Sequence, residues 1–238
     1  KMDFLALRNL SVIQGTLEWI EKLRGITLDI DEIDLSDPKV FQLFSQGQTA
    51  GVFQFESEGM RQMLRDFQPE SLEHLTLLNA MYRPGPAQYI PTVIRRRHGQ
   101  ERVEWPHPDL QSILEETYGI MAYQEQIMAV AHRFAGMSLG EADLLRRAIG
   151  KKVARIIEEQ RQRFIDGAVE QGYDAKLAAD IYADIEKFAN YGFPKSHSCA
   201  YALVAYQTAY LKVHYPSEYM ATLLTSVMAK NKNIKLGE

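Results

Sequence analysis

Residues 196–215 read SHSCAYALVAYQTAYLKVHY, and Pro216 follows. Apolar or aromatic side chains fall on almost every side of a helix drawn through this stretch, so it predicts a central helix buried by its neighbours and stopped by the proline. Such a helix needs other helices around it, and the flanking sequence supplies them. Upstream, 191–194 (YGFP) is a loop, and Asp174 is placed to cap a helix running to Asn190. Residues 151–171 form a long polar helix set off by Gly150. Ser138 with Glu141 three positions on is a capping box opening a helix to Ile149. Downstream, Ser217 is placed to cap a last helix, and 231–238 is a polar tail.

The remaining chain reads the same way. Residues 109–116 and 124–134 are helical, separated by Tyr118-Gly119-Ile120. Leucines keep helical period over 69–82 until Arg83-Pro84-Gly85-Pro86 forces a rigid non-helical turn. Asp37-Pro38 opens a short helix through Phe41 and Phe44 to Gly47, with proline in the first turn. Residues 51–55 read as extended. Leu7, Leu10, Ile13, Leu17, Ile20 and Leu23 recur at helical spacing until Gly25. Only Lys1-Met2-Asp3-Phe4-Leu5 alternates like a strand, with nothing before it to pair with, so the chain is expected to begin within a domain. No internal repeat is visible. The expected fold is mainly α, multi-helical, with a short β-strand stub at the N-terminus.

The 238 residues are 46% apolar and 24% charged, ordinary for a folded chain with a sizeable core. One cysteine, Cys199, leaves no internal disulfide framework and no cysteine-rich zinc site, which points to a reducing, cytoplasmic setting. No charged-then-apolar leader and no run of about eighteen apolar residues occurs, so neither a secretory signal nor a membrane span is expected. The net charge of −4 counts against nucleic-acid binding, but charge is unevenly spread. Residues 29–37 carry Asp29, Asp31, Glu32, Asp34 and Asp37 without a base. Arg83, Arg95, Arg96, Arg97 and Arg102 crowd one later stretch, and Arg146, Arg147, Lys151, Lys152, Arg155, Arg161 and Arg163 another. Local fields can therefore be positive on an acidic chain.

No glycine-rich phosphate loop, no HExxH and no histidines at ligand spacing are present, which argues against a self-contained enzyme. In 144–152 (LLRRAIGKK) leucines set a buried side while two guanidiniums and two ammoniums cluster near one end, a pattern suited to a polyphosphate. The competing reading has Asp143, three and four residues earlier, pairing with both arginines as an ordinary solvated face. The Arg95-Arg96-Arg97-His98 run could track a nucleic-acid backbone or simply be solvated. Asp3 offers hard carboxylate oxygens to a divalent metal but lacks a second and third ligand nearby. His197, between two serines at a helix start, could donate to a ligand or merely cap. Tyr201, Tyr206 and Tyr210 read as core more than as a base-stacking platform.

Five strings in order, 1–5 (KMDFL), 82–86 (YRPGP), 118–120 with 123–126 (YGI, YQEQ), 144–152 and 187–207, resemble the bacterial DNA polymerase III alpha subunit family, the C-family replicases, over essentially the whole chain. The resemblance implies the last palm strand at 1–6, a helical fingers domain at 7–216, and the start of a connection to the next domain at 217–238. It implies a DNA-directed DNA polymerase extending a primer on a DNA template from deoxynucleoside triphosphates. Two Mg2+ ions are implied, with Asp3 as one ligand and the isolated piece inactive. By position Asp3 and Lys1 match catalytic residues. Arg146 and Arg147 match triphosphate contacts and His197 the nucleotide sugar, with Lys151, Ser196 and Lys195 expected in the same nucleotide site, while the Arg83 turn is expected to line the site on the DNA side and the charge run Arg95, Arg96 and Arg97 to contact DNA. Implied partners are primer-template DNA, the nucleotides, the remainder of the polymerase chain and, through regions elsewhere, a sliding clamp, in a bacterial cytoplasm near the nucleoid.

Three departures stand out: Ala6 where the family usually has glycine, Pro194 where it has asparagine, and residues 153–156 where Lys-Pro-Glu-Glu is common. Pro194 removes an amide close to His197 and bears on sugar or base contacts there. Two other readings fit the sequence: a non-catalytic helical module that binds DNA or a partner, and an error-prone paralogue of the same family.

Overall fold

A computed structural model describes residues 7–189 and 191–228, and the expected strand at 1–6 lies outside them. Twelve α-helices and three short 3-10 helices are found among the described residues, and the sole pairing of strand type there is an isolated parallel bridge, Tyr123 with Phe193. The fold is mainly α, as the sequence implies.

Contacts divide the chain into two compact units. The first holds the described residues up to Leu75 and those from Cys199 onward, and the second is Thr76–Ser198. The chain passes between them inside α4 (Leu72–Met81) and inside α11 (Lys195–His214).

The first unit contains α1 (Arg8–Arg24), α2 (Pro38–Ser45), α3 (Glu58–Phe67) and α12 (Pro216–Met228). Gly25 ends α1 in the left-handed region at φ 65°, its N–H donating to Glu21 O at 2.9 Å. The buried stripe of α1 is Val12, Ile13, Thr16 and Ile20, whereas Leu10 and Leu23 of the expected stripe stay exposed. Val12, Ile13 and Ile20 pack with Leu211 and Tyr219 of α11 and α12. That packing turns the helix about its axis from the position leucine spacing alone gives. Asp37 caps α2 by accepting from Lys39 N–H at 2.8 Å, with Pro38 in the first turn. Residues 51–55, expected extended, instead make tight turns: Val52 N–H reaches Thr49 O, Phe55 N–H reaches Val52 O, and Gln54 sits at φ 65°. These turns bury Val52, Phe53 and Phe55 on one side, with Phe55 edge-on to Phe44 and Phe53 against Tyr201. Pro216 is the first residue of α12 rather than the residue before a Ser217 cap, because the first helical position needs no N–H.

The second unit contains α5 (Ile90–Arg97), α6 (Gln111–Leu114), α7 (Gln124–Ala135), α8 (Leu139–Gly150), α9 (Ala154–Glu170) and α10 (Ala175–Ala189). Its core stacks Phe134 on Tyr173 at 4.0 Å and on Phe164 at 6.1 Å, with Tyr182 against Phe164 at 5.5 Å. A Cβ on Gly167 would lie 2.1 Å from Ala135 O, so only glycine lets α9 approach the end of α7 this closely. Ser138 and Glu141 form the expected capping box, and Asp174 accepts from Leu177 N–H at 2.9 Å. The single helix expected over 109–116 is broken into a 3-10 turn, α6 and a second 3-10 turn. Side chains bind the carbonyls around the break: Gln126 Nε2 donates to Ile113 O at 3.0 Å, and Thr117 Oγ1 donates to Leu114 O and Ile120 O.

The sequence expectation for 196–215 needs one correction. Ser198, Ala202, Ala205, Tyr206, Thr208, Ala209 and Leu211 are buried, but Ser196, His197, Cys199 and Ala200 are exposed, so the first turn of α11 presents polar side chains to solvent.

Candidate functional site

The loop 191–194 is held from several directions within the second unit. Arg83, just past α4, donates from Nε to Ala80 O at 2.9 Å and from Nη2 to Tyr191 O at 2.8 Å. Its guanidinium lies 4.2 Å from the Phe193 ring centroid, a cation–π contact. Burial pulls the Arg83 pKa below its usual value, the mark of a cation taken partly out of water. This arginine is anchored, and what it organises is the loop.

The start of α7 supplies the second attachment. Phe193 N–H donates to Ala122 O at 3.1 Å and Gln124 N–H to Phe193 O at 3.0 Å, which makes the parallel bridge. Gln124 Nε2 adds a bond to Gly192 O at 3.1 Å. Glu125 accepts the Lys195 backbone N–H at 2.9 and 3.1 Å, a carboxylate at the positive end of α11. Lys195 Nζ pairs with Glu116 at 2.5 Å. Ser196 and His197 stand exposed in that first turn, the His197 ring edge-on to Phe193 at 5.1 Å.

The third attachment comes from α8, whose Leu145, Ala148 and Ile149 are buried. Asp143 Oδ1 accepts from Arg146 Nη2 at 2.7 Å and Nε at 3.1 Å, and Oδ2 accepts from Arg147 at 2.7 Å. The hydrogen bond from Arg146, then the charges of both arginines, hold the Asp143 carboxyl below its ordinary range. Two cations against one anion leave this face positive. Arg146 Nη1 also donates to Gln124 Oε1 at 3.2 Å, tying α8 to the loop. Lys151 lies just past α8 and is exposed.

The sequence-predicted residues therefore separate into groups. Arg83, Arg146, Lys195 and His197 all attach to the loop 191–194 or to its α7 support, with Arg147 sharing Asp143 and Ser196 beside His197. Arg95 and Arg96 instead converge on Glu101, at 2.7 and 2.9 Å, and Arg96 also reaches Tyr118 O. With 13% of its side chain exposed, Arg96 is a packing residue more than a free contact, while Arg97 is half-buried on the same helix. Arg96 also borders a cleft of about 520 Å3 with Tyr89, Trp105, Asp184 and Lys187. Asp3 and Lys1 lie outside the described residues, and among the described residues no group of three or more histidine, cysteine, aspartate or glutamate side chains could hold a metal. Gln124 and Glu125 carry no local signal of a role in the sequence, because each bonds a partner about seventy positions away.

Residues 9–172 match the model of the bacterial DNA polymerase III alpha subunit finger domain, and the chain belongs to that family. Among its relatives, DNA polymerase III subunit alpha of Bacillus subtilis (strain 168) is 50% identical over 234 residues, which is 98% of this chain and 21% of the relative. The subunit of the same description from Halalkalibacterium halodurans is 48% identical over 227 residues, 95% of this chain and 20% of that one. That of Staphylococcus aureus (strain COL) is 47% identical over 232 residues, 98% and 22%. The chain thus spans about a fifth of the length of these relatives.

Proposed function

We propose that this chain serves as the fingers of a replicative DNA polymerase, binding the incoming deoxynucleoside triphosphate while primer-template DNA is held together with the remainder of the polymerase chain. The observation that carries the reading is that the start of α7 holds both parts: Gln124 ties Arg146 to the loop 191–194, and Glu125 next to it accepts the Lys195 N–H that opens α11. In this reading Arg146, Arg147 and Lys151 hold the triphosphate by charge-assisted hydrogen bonds. Ser196 and His197 face the sugar, and Lys195 is released from Glu116 toward a phosphate. Arg83 keeps the loop in register beside the DNA, with Arg95 and Arg97 more distant backbone contacts.

Asp3 would hold Mg2+ jointly with carboxylates from the rest of the polymerase chain, Lys1 would contact phosphate, and two such ions would neutralise charge on the transferring phosphate. The chain alone is then expected to extend no primer. No helix among the described residues is long and apolar enough to cross a membrane. A bacterial cytoplasmic location near the nucleoid, with a sliding clamp engaged through other regions, belongs to the same proposal.

The test is single-nucleotide incorporation by the full-length subunit carrying Arg146→Ala and Arg147→Ala. The nucleotide KM is expected to rise about tenfold or more, since a charge-assisted hydrogen bond to phosphate is lost at each position. Normal nucleotide kinetics with only a lower melting temperature would leave both arginines as partners of Asp143 and nothing more.

A further inference from the structure

We propose that Gln124 is a positioning residue for nucleotide binding, holding Arg146 in place relative to the first turn of α11 without cancelling its charge. The inference rests on the nucleotide-site reading above and deepens it.

The bonding pattern at Gln124 selects glutamine chemically. Arg146 Nη1 is a donor and needs an acceptor, which Oε1 supplies at 3.2 Å. Gly192 O is an acceptor and needs a donor, which Nε2 supplies at 3.1 Å. Only a side-chain amide offers both at this reach, and the two partners fix which way it faces. The root of the side chain is fixed as well, because the Gln124 backbone N–H bonds to Phe193 O at 3.0 Å. The Phe193 ring in turn meets His197 edge-on. A guanidinium on α8 is thereby referenced to the loop that leads into Ser196 and His197.

The neutrality of the amide matters to what Arg146 can still do. Its Nε and Nη2 edge is committed to Asp143, so the Nη1 side is the one that an incoming anion can take over from a weaker, uncharged acceptor. A carboxylate at position 124 would set the guanidinium between two anions and remove the positive potential that attracts a triphosphate. It would also turn an oxygen toward Gly192 O.

The experiment is a double-mutant cycle in the full-length subunit with Gln124→Ala, Arg146→Ala and the pair, together with Gln124→Glu. Nucleotide KM, kcat and melting temperature are measured for each. Gln124→Ala is expected to raise nucleotide KM roughly fivefold to tenfold with a smaller change in kcat, and to add nothing once Arg146 is alanine. Gln124→Glu is expected to raise KM at least as far, although it keeps an acceptor for Arg146. Should Arg146→Ala raise KM while Gln124→Ala does not, or should the two effects simply multiply, Gln124 is a structural residue and the inference fails alone. Wild-type KM in Gln124→Glu has the same consequence. Unchanged KM in Arg146→Ala overturns the nucleotide-site reading and this inference with it.

Discussion

The ring of Tyr191 occupies the space a side chain on Gly85 would need: a Cβ built there falls 2.2 Å from Tyr191 Cδ1, and Gly85 already sits at φ 101°. Gly85→Ala is therefore opposed twice, by backbone strain and by a clash, and is expected to cost about 2–4 kcal/mol in urea unfolding of the chain. Tyr191→Ala introduced alongside should recover the steric part only. Simple addition of the two single losses would show that the ring moves aside instead.

Tyr206 is fully buried, and its hydroxyl donates to Asp34 O at 2.7 Å while accepting from Asp37 N–H at 3.1 Å. Burial pushes the phenol pKa well up, so the group stays protonated. Tyr206→Phe keeps the ring contact with Phe41 at 5.4 Å but strands two backbone groups. About 1–2 kcal/mol of stability should be lost with an unchanged denaturant slope. A neutral substitution would mean that water replaces both bonds.

Glu218 is 6% exposed and takes Arg24 Nε and Nη2 at 2.6 and 3.0 Å. The Arg24 hydrogen bonds hold its carboxyl below the ordinary value of 4.5. A carboxyl depressed by folding contributes stability above its unfolded pKa and loses it as pH falls through the folded one. The gap in melting temperature between the parent chain and Glu218→Gln should be widest near neutral pH and close as the pH drops below about 4.5. A gap that is constant from pH 7 to pH 3 would exclude the ion pair as its source.

His197 is exposed beside Phe193 in the first turn of α11. In the full-length subunit His197→Ala is expected to admit ribonucleotides while sparing deoxyribonucleotide incorporation, shifting the ratio by roughly a hundredfold if the ring excludes a 2′-hydroxyl by shape. Paired single-nucleotide assays read that ratio directly. An unchanged ratio with a small loss of stability would leave a residue that only packs.

How much was legible in the sequence follows from where each signal resides. Gly25, Ser138 with Glu141, and Asp174 announce helix ends through local chemistry, and the structure places ends there. Helix α3 carries an equally local signature, Ser57 capping and Met60, Met63, Leu64 and Phe67 on one buried face, yet its charged intervening residues hid it from a reading based on leucine periodicity. The rotation of α1 depends on Leu211 and Tyr219 far along the chain and leaves no local trace, and the turns at 51–55 place Phe53 against Tyr201, which apolar alternation does not show. In the candidate site, Asp143 beneath Arg146 and Arg147 could be read from spacing of three and four. The Gln124 bonds to Arg146 and Gly192 could not, because tertiary proximity alone creates them.

Ser198 Oγ donates to Thr76 O at 2.7 Å, so the second unit closes on itself where its first and last residues meet. Its chain is continuous, whereas the first unit is assembled from segments on both sides of it. On a ribosome emitting the chain from its N-terminus, the second unit has all its parts as soon as Ser198 emerges. Helix α1 must by then have waited through more than a hundred residues for Leu211 and Tyr219, the partners that cover Val12, Ile13 and Ile20. The order of synthesis thus lets the inserted unit complete its core first, and leaves the apolar face of α1 uncovered for longer, open to chaperones and to aggregation.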